Sequence, residues 1–282
     1  MDSTNKILRD FGDEWERFNF LNGDDLESLK EQFNNYISPL PPEILKRRDL
    51  VAADFGAGTG RWSYFFSRYC QQLYILEPSL KAFSVSRLRF LKNKKIILLN
   101  QPIEQNDVPE KCLDLAISLG VLHHIHDTQA ALNAIYTKLK PGGYFLGYVY
   151  YALDNKAPAY RFVWIVSDWL RRGISQLPNR IKFMLTDLIA IFIYLPLSRL
   201  CKLLACVKFP ITTIPLHHYA NLSFTVMRND ALDRFGTSLE KRFKKSEIVE
   251  MLNIAGFEIS SICFSEVEPF WTFSVRKKDQ KF

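Results

Sequence analysis

Apolar positions along the first half of the chain fall into short, nearly uninterrupted runs: Leu50 to Ala53, Leu73 to Leu76, Lys95 to Asn100, Leu113 to Leu119 and Tyr144 to Tyr150. Between them the spacing changes to that of a helix. From Arg61 to about Tyr69, Trp62, Phe65, Phe66 and Tyr69 fall on one stripe. Leu80 to Lys92 and Thr128 to Lys140 read as two more helices, the second with Asp127 or Thr128 as its cap and Gly142 past its end. Buried strands alternating with helices predict a parallel sheet covered on both faces, an α/β fold. After Tyr151 the alternation stops. It resumes near Lys245 with a helix ending before Gly256, then strands over Glu258–Phe264 and Phe270–Arg276. The pattern divides the chain into an N-terminal helical arm (1–48), a core (49–151), an inserted helical cap (152–240) and the end of the core sheet (241–282).

The insert and the arm are the irregular parts. Within 152–210 there are nine basic residues against three acids, which is most of the net charge of +7. Leu188 to Leu197 carries no charge over ten residues. That run is too short to span a bilayer, and Pro196 is expected to break or kink it. An apolar segment with basic flanks suits a cap packed over a site, an interfacial membrane element or a dimer surface, and the first is favoured. The arm packs four aromatics into Phe11 to Phe20. It is expected to cover an apolar sheet edge or to act as a lid that brings Trp15 near a ligand.

A chain of 282 residues with 48% apolar content is globular. Its polar opening residues lack the pattern of a signal peptide, and its five cysteines are scattered. Both fit a reduced, cytoplasmic protein. No cysteine pair has zinc spacing with a second pair to complete a site, and the histidine cluster at 123–126 has no visible partner ligand, so no metal is expected.

The chemistry concentrates at one turn. Val51-Ala-Ala-Asp-Phe-Gly-Ala-Gly-Thr-Gly60 leaves a strand, turns through Gly56, Gly58 and Gly60 and enters a helix at Arg61. Glycines there let a ligand approach the backbone, and the first helical N–H groups point at it. A dinucleotide fingerprint requires a glycine where Arg61 stands. Asp54 before the turn would repel a pyrophosphate but could hold an ammonium group, which favours a cofactor carrying an amino acid.

Asp54 to Gly60 resembles the first motif of the class I S-adenosylmethionine-dependent methyltransferases. The resemblance continues in order through Glu77-Pro78-Ser79, Ser118 to Asp127 and Leu139-Lys-Pro-Gly-Gly143. It covers about Leu50 to Tyr151, and the end of the chain more loosely. It implies a seven-stranded, mostly parallel Rossmann-like sheet with its last strand antiparallel, and S-adenosyl-L-methionine as cofactor. Asp54, Gly56, Gly58, Gly60 and Arg61 would face the methionine part, with Leu119 and Gly120 beside it. Glu77, with Pro78, would meet the ribose hydroxyls. The family commonly has an Asp at the end of the third strand for the adenine, and this chain has none, so Gln101 or backbone near Ile103 takes that place.

The resemblance implies methyl transfer, with O- or N-methylation of a small or lipid-like acceptor favoured. A non-catalytic module that binds S-adenosylmethionine is the alternative. His123 and His124 are candidate bases, needed only if the acceptor must lose a proton. Tyr150, Tyr151 and Asp154, at the end of the fifth strand, are candidates for the acceptor pocket, as are His217, His218, Tyr219 and Arg228 in the insert. With no base-flipping motif and no recognition module, nucleic acid is disfavoured as the acceptor. Peripheral membrane contact remains open, and the sequence leaves the oligomeric state unassigned.

Overall fold

The computed structural model describes residues 3–18, 29–153, 158–211, 214–265 and 270–279. In chain order the elements are α1 (Ser3–Arg17), α2 (Lys30–Ile37), α3 (Pro42–Lys46), β1 (Leu50–Phe55), α4 (Arg61–Phe66), β2 (Cys70–Leu76), α5 (Leu80–Phe90), β3 (Ile96–Leu99) and β4 (Leu113–Leu119). There follow α6 (Thr128–Lys138), β5 (Leu139–Tyr150), α7 (Pro158–Ile174), α8 (Asn179–Cys206), α9 (Phe224–Gly236), α10 (Lys245–Ala255), β6 (Phe257–Phe264) and β7 (Phe270–Lys277). They form two compact units. One is Lys30–Asn155 with Leu239–Phe282; the other is Met1–Leu29 with Lys156–Ser238.

The first unit is the α/β core. Its seven strands run in the order β3-β2-β1-β4-β5-β7-β6. β1 pairs in parallel with β2 and β4, β2 with β3, and β4 with β5, whereas β7 is antiparallel to both neighbours. The strand order reverses between β1 and β4, and the carboxyl ends of strands at such a switch point are where open α/β sheets bind ligands. Ser118 Oγ donates to Phe55 O across that junction at 3.1 Å. β1 and β4 are buried along nearly their whole length, which is why both read as continuous apolar runs.

The expected arm over 1–48 is divided, because residues 30–48 belong to the core unit. The reason is aromatic. Phe33 of α2 stacks on Phe65 and meets Phe66 edge-on, while Tyr36 packs between Trp62 and Tyr148 at 5.1 and 5.0 Å. The stripe predicted on α4 is therefore the receiving surface for α2.

The second unit is helical, and α9 is its centre. Met227, Ala231 and Phe235 pack with Ala190 and Tyr194 of α8 and with Tyr219. Pro196 does not end the helix. α8 runs for 28 residues, and its middle, Ala190–Tyr194, is wound as a π-helix. The proline ring would meet the carbonyl four residues back, inside that wider turn, so the distortion absorbs the clash.

Candidate active site

The glycine turn after β1 is fixed by conformation and by packing. Gly56, Gly58 and Gly60 have φ of +79°, +58° and +73°, the left-handed region where side chains are strained. A Cβ on Gly56 would fall 2.5 Å from Val121, and one on Gly60 would fall 2.6 Å from Phe90. The N–H groups of Gly56 and Ala57 both donate to Leu76 O at 2.9 Å, tying the turn to the end of β2. Gly58 is held from two sides. Its N–H donates to Glu77 Oε2 at 2.9 Å, and its carbonyl accepts from Ser86 Oγ at 2.7 Å.

Glu77 therefore supports the turn as well as ending β2, because its Oε1 accepts from Ser79 N at 2.8 Å. Each carboxylate oxygen still has a second lone pair for a hydroxyl. Burial pushes the Glu77 carboxyl up to about 7, against the two backbone donors that lower it, and the charge of Asp54 adds to the rise. Asp54 is 2% exposed. Burial raises it to about 7 as well, and the hydroxyl of Ser63, which donates to Asp54 Oδ2, offsets this only partly. Among the described residues no cation pairs with Asp54. A desolvated carboxylate beside a glycine cradle is a site that gains from an incoming ammonium group. The residues present thus fit the amino-acid end of S-adenosylmethionine.

The other cofactor candidates are placed less uniformly. Leu119 is buried at the end of β4, and Gly120, at φ +81°, donates its N–H to Tyr148 O at 3.2 Å. The carbonyl of Pro78 accepts from Asn100 Nδ2 at 3.1 Å, as does that of Glu77 at 2.7 Å. Asn100 is thus a positioning residue that the sequence reading passed over. The Gln101 amide closes its own loop: Nε2 donates to Asp107 Oδ2 at 2.6 Å and Oε1 accepts from Asp107 N at 2.9 Å. Ile103 is buried in the core cluster. The Arg61 guanidinium lies 4.8 Å over the ring of Trp62, at the opening of α4.

His123 and His124 sit in a 3-10 turn, Leu122–His124, just past β4. His123 is fully buried, stacked on Tyr150 with ring centres 4.0 Å apart, and among the described residues neither ring nitrogen has a hydrogen-bond partner. Burial, with the neighbouring His124 and Arg242, holds it well below the usual imidazole range. A ring kept neutral among aromatics is packed as an aromatic. His124 differs: its Nδ1 is 2.7 Å from Leu239 O, so Nδ1–H donates there and the neutral ring keeps its lone pair on Nε2. The chain returning at 239–243 straps this turn. Lys241 N donates to His123 O at 2.8 Å, its ammonium reaches His126 O at 2.6 Å, and Arg242 lies 5.3 Å over Tyr150. Tyr36, Lys241 and Arg242 lie far in sequence from every motif, and no local signal marks them.

Tyr148 and Tyr150 share the face that holds His123. Tyr151, expected beside the acceptor, does not join them. It points to the other sheet face, edge-on to Trp271, because successive strand residues alternate. Asp154 lies outside the described residues. The acceptor candidates of the insert are engaged within the helical unit. Arg228 makes two 3.0 Å bonds to Asp187, Tyr219 donates to Asp230 at 2.9 Å, and half-buried His218, lowered to about 3, lies tilted against Tyr219 with ring centres 4.1 Å apart. His217 Nδ1 meets Ile214 O at 2.9 Å. No group of three metal-ligating side chains occurs among the described residues.

Comparison with known proteins bears on this geometry. Residues 53–147 match the model of the methyltransferase domain family. A tRNA U34 carboxymethyltransferase of Ruthia magnifica subsp. Calyptogena magnifica is 30% identical over 107 residues, which is 37% of this chain and 34% of that protein. The chain thus matches about a third of the length of this curated relative. The Burkholderia thailandensis 1,6-didemethyltoxoflavin-N1-methyltransferase, solved with 1,6-didemethyltoxoflavin and S-adenosylhomocysteine, superposes with a TM-score of 0.53 at 16% identity, over 98% of this chain and 89% of that one. Human N-acetylserotonin methyltransferase, solved with S-adenosylmethionine, gives 0.51 at 14% identity, over 90% and 53%. At these identities the structural likeness is one of fold. The matched segment is similar to a methyltransferase domain, and the unit that carries it has the fold of these methyltransferases.

Proposed function

We propose that the chain binds S-adenosylmethionine at the β1–β4 crevice and transfers its methyl group to a small or lipid-like acceptor, at oxygen or nitrogen. Asp54 carries this reading: a buried carboxylate, raised to about 7 and with no paired cation among the described residues, stands at the mouth of the glycine turn. The cofactor supplies a methyl carbon already activated by its sulfonium. The chain then has mainly to position, and holding two reactants in line can remove several kcal/mol of barrier. Asp54 holds the ammonium, the turn at Gly56–Gly60 gives backbone contact, and Glu77 takes the ribose hydroxyls on its free lone pairs. Where the acceptor must lose a proton, the geometry favours His124, with its tautomer set by Leu239 O, over His123.

The aromatic wall of Tyr36, Trp62, Tyr148 and Tyr150 supports an apolar or flat acceptor. The five free cysteines support the cytoplasmic setting that belongs to this proposal. The test is incubation of purified protein with methyl-labelled cofactor and fractionated cell extract. Label in a low-mass, solvent-extractable product is expected. Label in nucleic acid or protein would overturn the acceptor class.

A further inference from the structure

The helical unit is built with its polarity reversed. On α7, Arg171 is 8% exposed, with its guanidinium donating to Asp168 and to Thr237 O, whereas Trp169, two residues away, is 78% exposed. Phe162, Val166 and Leu170 share the outward side with Trp169 at helical spacing. α8 repeats the arrangement. Lys182, only 3% exposed, bonds Asp10 at 3.1 Å, and Asp187 holds both Arg17 and Arg228. Ile181, Met184, Phe192 and Leu203 are exposed, Phe192 at 72%. Both helices lay their polar sides on protein and turn large apolar side chains outward. A helix in water does the opposite.

We infer that this outward apolar surface docks on an anionic lipid bilayer, with α7 and α8 lying in the interface. Exposed apolar residues of this size mark an interaction surface, and charge identifies the occupant. Arg161 and Arg172 border the apolar side of α7, while Arg199, Lys202 and Lys208 are exposed at the end of α8 and just beyond it. Apolar residues bordered by arginine and lysine match acyl chains below anionic headgroups. A second copy would set these cations against identical cations. By length and composition α8 could cross a membrane. Its polar side, however, is joined through Lys182 and Asp187 to α1 and α9, so spanning would draw those ion pairs into hydrocarbon.

The test is co-sedimentation of the full chain with phosphatidylglycerol-containing vesicles and with pure phosphatidylcholine vesicles, alongside tryptophan quenching by brominated lipid. Binding to the anionic vesicles that weakens with salt is expected. Trp169→Ser with Phe192→Ser should weaken it at least about tenfold, and Lys202→Glu with Lys208→Glu should weaken it further at low salt. Affinity for S-adenosylhomocysteine should stay unchanged in both, so this inference and the proposed activity fail separately. No binding at low salt would overturn the inference. So would a dimer abolished by the same variants without vesicle binding, or membrane association that resists alkaline extraction, the mark of a spanning helix.

Discussion

The two units handle charge in opposite ways. In the core, Asp54 and Glu77 are buried with no cation paired to them among the described residues, and both rise to about 7. In the helical unit the buried and half-buried charges just described have counter-ions: Lys182 with Asp10, Asp187 with Arg17 and Arg228, Arg171 with Asp168. Paired charges hold a structure together, whereas an unpaired carboxylate stores free energy that a ligand can release. The same residue types thus mark a scaffold in one unit and a binding site in the other.

That contrast can be broken from the core side first. Gly58→Val should abolish S-adenosylhomocysteine binding, because its backbone is at φ +58° and is held at both its N–H and its carbonyl; calorimetry checks this. In the helical unit, Asp10→Ala should cost about 3–5 kcal/mol of that unit's stability by leaving Lys182 buried and alone. Thermal unfolding would show the loss with cofactor affinity unchanged. Glu77→Ala should weaken S-adenosylhomocysteine binding by roughly 1.5–3 kcal/mol for each ribose hydrogen bond lost. Unchanged affinity in the folded variant would remove the ribose assignment. The smallest effect is expected for His123→Phe, which keeps an aromatic against Tyr150. Turnover should change by no more than about threefold, and the wild-type rate should show no step attributable to His123 near the ordinary imidazole pKa.

Much of the core was legible because its chemistry is local. Gly56, Gly58 and Gly60 are required by backbone angles set within seven residues of Asp54, and the alternation of strands and helices encodes the sheet. Tyr151 lies on the face opposite Tyr148 and Tyr150, and the alternation of a strand tells which residues share a face but not which face borders the site. Gln101 was read as a possible adenine contact, and its partner Asp107 lies in an unpatterned loop that gave no sign of the bond between them. The helical unit was harder for a physical reason. The sequence showed an uncharged run from Leu188 to Leu197 with basic flanks, but such a run does not say whether protein or another medium covers it. That answer comes from Asp10, Arg17 and Arg228, which reach α8 from distant sequence. Pro196 marks a distortion and not an end of the helix, because a π-turn, invisible in composition, accommodates it.

The most direct test of the central claim is proton release on cofactor binding. Asp54 and Glu77, raised to about 7, bind more protons in the folded chain than in the unfolded one between their ordinary values and about 7. Their contribution to stability therefore falls as pH rises through that window and is flat above it. An ammonium ligand favours ionised Asp54, so affinity should rise with pH up to about 7 and binding should expel protons. Titration with S-adenosylhomocysteine near pH 7, in buffers of differing ionisation enthalpy, reads this number directly. The account predicts net release in the wild type, and in Asp54→Asn a smaller release with weaker binding. Proton uptake, or release unchanged in Asp54→Asn, would contradict it.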